Sequence, residues 1–223
     1  MFNWYSEKFL AWLNKNNTFE KIVSDNFGES VVQFYPARSD KPIDVRETLR
    51  CLGQTELLLK GVLNTIVKST DSNDTKVEKI RDFVNKRLTY TADQKGYFRP
   101  DYWADAYTVY DKKNDDCDGY AILIMTFMRL AGIPAWRRRI VIGKVYTGEM
   151  HAYIVYFTEK NNMWCVVEGS YYAGNAMAYF NQVQLTSNAM YGDVWFCFNE
   201  SGAWSKNKNV FANKVSARGK KKK

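Results

Sequence analysis

The chain has 223 residues, 46% hydrophobic, 25% charged and 16% aromatic, enough apolar mass for one sizeable core and incompatible with a disordered or collagen-like chain. Its net charge of +8 is terminal: all the acidic residues lie at or before Glu200, residues 1–200 carry no net charge, and the excess comes from Lys206 to Lys223. A neutral body with a basic end is not the pattern of a nucleic-acid reader, which places its charge on a folded face.

Met1 to Lys8 lacks the basic start and long apolar core of a secretory signal, and no apolar run reaches the roughly 18 residues of a spanning helix. The expected setting is therefore reducing and cytoplasmic, without a membrane span. Cys51, Cys117, Cys165 and Cys197 form no CxxC pair, and with His151 as the single histidine no Cys2His2 zinc site can be completed.

In chain order, residues 1–68 read as a helical N-terminal region. Trp4, Phe9, Trp12 and Leu13 recur at helical spacing, as do Val45, Leu49, Leu52, Leu57, Leu58, Val62, Leu63 and Ile66. The polar run Ser69 to Thr75 predicts a loop and a helix cap, and marks the boundary of a core spanning residues 75–200. A helix carrying Val77, Ile80, Phe83 and Val84 on one face follows, then an irregular aromatic stretch through Tyr90, Phe98, Trp103, Tyr107 and Tyr110. Ala121 to Ala131 is apolar nearly all round and predicts a buried helix, started by the acidic residues around Cys117 and stopped by Gly132 and Pro134. Ile140 to Ile142, His151 to Phe157, Trp164 to Glu168 and Val194 to Phe198 predict strands, the second and third joined by a hairpin turn centred near Lys160-Asn161. Arg137-Arg138-Arg139 reads as a partly solvated strand edge, or a surface facing an acidic substrate. One central helix followed by an antiparallel meander is an α+β pattern. Residues 205–223 read as a basic, disordered tail able to meet an anionic partner.

The chemistry centres on Cys117. At the first turn of a helix, unpaired N–H groups and the positive dipole end favour a thiolate, while Asp116 and Asp118 oppose it. His151 is the one imidazole able to serve as its base, and the hairpin register places Glu168 opposite or diagonal to that histidine. Cys117, His151 and Glu168 together support acyl transfer: sulfur attacks a carbonyl, the imidazole moves the proton, the carboxylate orients the imidazole, and helix-terminal amides near Cys117 stabilise the oxyanion. Trp103, Tyr107 and Tyr110 are the candidate substrate-binding aromatics. Asn114, Asp116, Asp118 and Gly119 also match the opening of an EF-hand loop, but Met125 stands where the bidentate acid belongs.

The runs Asp101-Tyr102-Trp103-Ala104, Asp116-Cys117-Asp118-Gly119-Tyr120-Ala121, Leu130-Ala131-Gly132-Ile133-Pro134, His151-Ala152-Tyr153 and Trp164 to Glu168 resemble the transglutaminase-like superfamily. Within it they are most like the bacterial transglutaminase-like cysteine proteinases, and the stretch from Val84-Asn85 through Tyr90 and Asp93 adds to the likeness. The resemblance implies a papain-like core, with a central cysteine-bearing helix on an antiparallel sheet. It implies Cys117 as nucleophile, His151 as base and acid, Glu168 in the third position, and a protein or peptide substrate. No cofactor is required, although calcium held by Asp116 and Asp118 is a possibility the family raises. Three positions depart from the family pattern: Glu168 replaces an aspartate, Asp115 replaces the glycine before Asp-Cys, and Gly119 replaces an acid two positions beyond the cysteine. The alternative reading is an inactive structural or assembly protein on the same fold, such as a phage virion component.

Overall fold

The structure is a computed structural model that describes residues 27–35, 41–145, 148–170 and 191–212. It has the mixed helical and antiparallel architecture expected. The main sheet has six strands in the order β1-β10-β9-β6-β7-β8, with β1 at Gly28–Glu29, β6 at Arg138–Val145, β7 at Met150–Phe157, β8 at Trp164–Val167, β9 at Tyr191–Phe198 and β10 at Ala203–Ser205. Every neighbouring pair in it runs antiparallel.

Alternation along the strands buries both faces. On one side Ile140, Ile142, Ala152, Ile154, Tyr156, Val167, Phe196 and Phe198 join the main core. On the other, Val141, Tyr153, Val155, Phe157, Trp164, Val166 and Cys197 form a second cluster with Phe27.

The main core is organised by α5 (Cys117–Leu130), in which every side chain from Asp118 to Met128 is buried. It packs on α1 (Gln54–Ile66), α2 (Asn73–Arg87) and α4 (Ala106–Lys112), and on β6 and β7. Each large side chain removed from water there contributes about 1.5–3 kcal/mol, so this helix is held by packing on all sides. Asp116 caps its start by accepting from the Asp118 amide. Its end is a left-handed Gly132 (φ +79°), where the Ile133 amide donates to the Met128 carbonyl at 3.1 Å.

Two segments depart from the sequence reading. Residues 28–44, expected to be helical, instead hold β1, β2 (Val31–Phe34) and β3 (Ile43–Asp44), ahead of a 3-10 turn at Val45–Leu49 and helix α1. The expected disordered tail begins with the end of β10 and includes β11 (Asn209–Phe211), which pairs in parallel with β2 to make a second sheet, β11-β2-β3. Strands this short carry little periodicity; β1, β2 and β11 exist because each finds a partner remote in sequence, and β3 pairs in turn with β2. The candidate helix around Trp4 to Leu13 and the lysines after residue 212 lie outside the described residues.

Within the arginine run Arg137 stays partly exposed, but Arg138 and Arg139 are buried in a strand with neighbours on both sides and form neither a solvated edge nor a free cationic surface. Arg138 is 1% exposed, donates to both carboxylate oxygens of Glu200 (2.8 and 2.5 Å) and to the Ile133 carbonyl, and Arg139 is sandwiched between the Trp164 and Trp204 rings. Among the described residues, no helix is long and apolar enough to cross a membrane.

Candidate active site

The acidic approach to α5 is built from short elements. β4 (Thr89–Tyr90) pairs in parallel with β5 (Asn114–Asp115), and between them lies the single-turn helix α3 (Asp93–Gly96). This ladder delivers the chain into α5 with Cys117 in the first turn. It also removes the EF-hand option: Asn114 sits in a strand, Asp118 in a helix, and Met125 is fully buried.

A cavity of about 290 Å³ opens over that turn. Cys117 and His151 both line it, with Asp101, Trp103, Asp116 and Asp118 on the acidic side and Ile142, Met150, Ala152 and Trp195 among the rest. The backbone N–H of Ala152, next to the histidine, donates to Cys117 Sγ at 3.4 Å. Residues 34 positions apart in sequence are thus brought onto one surface by the packing of α5 against β7.

The histidine is held from behind. The β7–β8 pairing runs from Phe157↔Trp164 to Ile154↔Val167, a register symmetric about Lys160-Asn161. Continued one step, it sets Glu168 beside Tyr153 and diagonal to His151. His151 Nε2 and Glu168 Oε2 are 2.8 Å apart, with the two residues 6% and 1% exposed. The other carboxylate oxygen accepts from the Ser170 amide (2.9 Å) and hydroxyl (3.2 Å). From α2, Arg81 donates to the Glu168 carbonyl and Asn85 to the Gly169 carbonyl at 2.7 Å. Gly169 packs closely on α5: a Cβ there would lie 2.8 Å from Ile124 Cδ1 and 3.2 Å from Tyr120 Cβ, so a side chain would require Ile124 to shift.

The cysteine side is electrostatically the reverse. Burial, then the Asp116 and Asp118 charges, push the Cys117 thiol well above its ordinary range, against the smaller lowering by the Ala152 amide. Burial and neighbouring carboxylates also raise Asp93 to about 8, Asp101 to about 6 and Asp115 to about 7, and Asp118 well above its normal value. Carboxylate oxygens of Asp93, Asp101 and Asp118 lie within 4.8 Å of one another, as do those of Asp93, Asp115 and Asp116. Asp93 and Asp118, 2% and 5% exposed, each keep a buried Oδ1 with no hydrogen-bond partner. Orphaned acceptors at such depth fit a hard cation with oxygen ligands.

Of the sequence-selected aromatics, Trp103 lines the cavity; it also stacks on Phe34 and Phe196, and its Nε1 donates to Asp101 at 3.1 Å. Tyr107 and Tyr110 are not among the lining residues. Tyr107 packs on the main core, while Tyr110 meets Phe127 edge-on and lies under the Arg87 guanidinium. Trp195 and Met150, which line the cavity, carried no signal in the sequence beyond apolar character. The sequence reading offered Asp116 and Asp118 as cation ligands; the structure gathers the carboxylates of Asp93, Asp101 and Asp115 around them. Each is visible in its motif, yet they sit on different elements and meet only through the fold.

The transglutaminase-like superfamily pattern matches residues 60–169, which contain the cysteine, the histidine, the glutamate and the five aspartates. This segment belongs to the transglutaminase-like superfamily. Among solved structures, Legionella pneumophila LapG superposes with a TM-score of 0.53 at 17% identity, covering 73% of this chain and 88% of LapG. A calcium-bound form of the same Legionella protein gives 0.53 at 16% identity over 75% and 88%. These likenesses establish the transglutaminase-like fold. No curated protein sequence matches significantly.

Proposed function

We propose that this transglutaminase-like protein is a thiol-dependent amide hydrolase of the cysteine-peptidase type, acting on a protein or peptide substrate through a Cys117 thioester. The observation that carries the reading is the shared cavity: the α5 cysteine and a histidine bonded to a buried glutamate line one opening. With Nε2 engaged by Glu168, proton exchange with the sulfur runs through Nδ1. The imidazole takes the thiol proton as Sγ attacks the substrate carbonyl, then gives it to the departing amine nitrogen as the C–N bond breaks. Water, deprotonated by the same imidazole, then cleaves the thioester. The Asp118 amide donates to Asp116, and in this reading the Cys117 amide serves as a backbone donor to the oxyanion.

The acidic groups support calcium binding, with Asp93, Asp101 and Asp118 as candidate ligands and Asp116, which groups with Asp93, beside them; a calcium-bound state is known for the Legionella LapG structure. When bound, calcium supplies positive charge that offsets the repulsion these carboxylates exert on a Cys117 thiolate. Asp116 and Asp118 flank the nucleophile, so their ionisation and its activation are linked.

The test is alkylation by iodoacetamide followed by peptide mapping. Cys117 should label faster than Cys51, Cys165 and Cys197, which are buried. His151→Ala should slow Cys117 labelling at least tenfold, and Cys117→Ala should reduce cleavage of a peptide library to background. Labelling of Cys117 at an unchanged rate in His151→Ala, with cleavage surviving Cys117→Ala, would sink the reading.

A further inference from the structure

Gly119 lies in the first turn of α5 with ordinary helical geometry, so no backbone strain calls for a glycine there. Space does. A Cβ at 119 would fall 2.2 Å from Cγ, 2.4 Å from Cβ and 2.5 Å from Oδ2 of Asp115, four positions earlier. Asp115 is fully buried, fixed by the Tyr97 hydroxyl donating to Oδ2 at 2.8 Å and the Asp116 amide donating to Oδ1 at 2.9 Å. Those two bonds leave lone pairs on both oxygens. The carboxylate shares a cluster with Asp116 and with Asp93, whose buried Oδ1 has no hydrogen-bond partner. A buried carboxylate seated where a helix residue has surrendered its side chain, beside an orphaned acceptor, is a built position.

We infer that Asp115 is a further ligand of the cation site, its carboxylate supplied from β5 into a space that Gly119 keeps open. Residues 115 and 119 therefore form a reciprocal pair, in which one position can carry the acid only if the other is glycine. This extends the calcium reading above and rests on it. The ligand set draws on α3 through Asp93, on β5 through Asp115 and on the α5 cap through Asp116, so cation binding ties the short β4–β5 ladder to the turn bearing Cys117.

Calcium titration of the full-length chain by isothermal calorimetry, after chelator treatment, decides the matter, with melting temperature in calcium and in EGTA as a second readout. Asp115→Asn keeps the shape and one acceptor oxygen for the Asp116 amide, and turns the position facing the Tyr97 hydroxyl into a donor while removing the charge; it should weaken calcium at least roughly tenfold, since affinity at such sites follows ligand charge. Gly119→Ala should weaken it too, by displacing the carboxylate. The double change Asp115→Gly with Gly119→Asp should bring affinity back to within a few-fold of the parent, which additive damage would not do. If Asp115→Asn binds calcium like the parent while Asp93→Asn and Asp118→Asn do not, this inference is overturned and the calcium site stands. If the parent chain binds no calcium, the site and the inference fall together. Should Asp115→Asn not fold, the double variant decides: failure to bind calcium when folded overturns the pairing.

Discussion

The two walls of the cavity are built on opposite principles. On the histidine wall Nε2 is bonded to Glu168, both glutamate oxygens are occupied, and the adjoining carbonyls are held by Arg81 and Asn85. On the cysteine wall five aspartates crowd one helix start, two buried oxygens lack partners, and the thiol is pushed toward its neutral form. A satisfied polar network fixes geometry at low cost, whereas a crowded anionic one stores electrostatic repulsion that a cation or protons can relieve. The contrast teaches that the hydrogen-bonded wall fixes the orientation of His151, while the charge state of Cys117 follows that of the acidic cluster beside it.

The largest expected effect comes from removing the charge behind the imidazole. Glu168→Gln should lower peptide-cleaving turnover by about 10²–10⁴-fold, the range seen when a triad acid is replaced by its amide. The folded state should survive, because Ser170 still has an acceptor at that position. Turnover within a few-fold of the parent would show that the histidine wall does not depend on its charged anchor.

Next in size is the clamp from α2. Arg81 is 2% exposed and spans from α2 to the end of β8. Arg81→Met should cost about 1.5–3 kcal/mol in urea unfolding through the lost charged hydrogen bond and an unmet buried carbonyl. Turnover should fall as well, because Glu168 loses its backbone anchor. A stability change within error would make the network dispensable and dissolve the contrast.

The smallest effect is a pH trend on the cysteine wall. In EGTA, the raised values of Asp93 (about 8), Asp115 (about 7) and Asp101 (about 6) mean that the folded state binds more protons than the unfolded chain above the ordinary carboxylate range of about 4. Stability therefore falls as pH rises from roughly 4 to 8, the opposite of a salt-bridged acid. Melting temperature in EGTA should drop across that window by several degrees, and calcium should flatten the slope. A flat profile in EGTA would show that the carboxylates are already compensated.

The hairpin was legible in advance because strand alternation and a polar turn fix register: once the turn centres on Lys160-Asn161, Glu168 must lie diagonal to His151. The buried helix was legible from its continuous apolar run between acidic caps and Gly132-Ile133-Pro134. The strands at 28–44 and 209–211 were not, because pieces of two to four residues carry no period; β1, β2 and β11 owe their form to partners more than 150 residues away, and β3 pairs in turn with β2. Tyr107 and Tyr110 illustrate the same limit, since proximity in sequence to Cys117 said nothing about which rings face the opening.

What the sequence by itself determined is the cast and its local setting: one histidine on a strand, one cysteine at a helix start, an acid a hairpin's length beyond, and aspartates dense around that cysteine. These follow from local periodicity and capping, which act over a few residues. Only the tertiary structure decided that Asp93, Asp101 and Asp115 join Asp116 and Asp118, that Asp115 fills the space left by Gly119, and that Arg81 and Asn85 steady the glutamate. Such choices depend on which buried groups must share space and partners, and that is settled when separate elements pack.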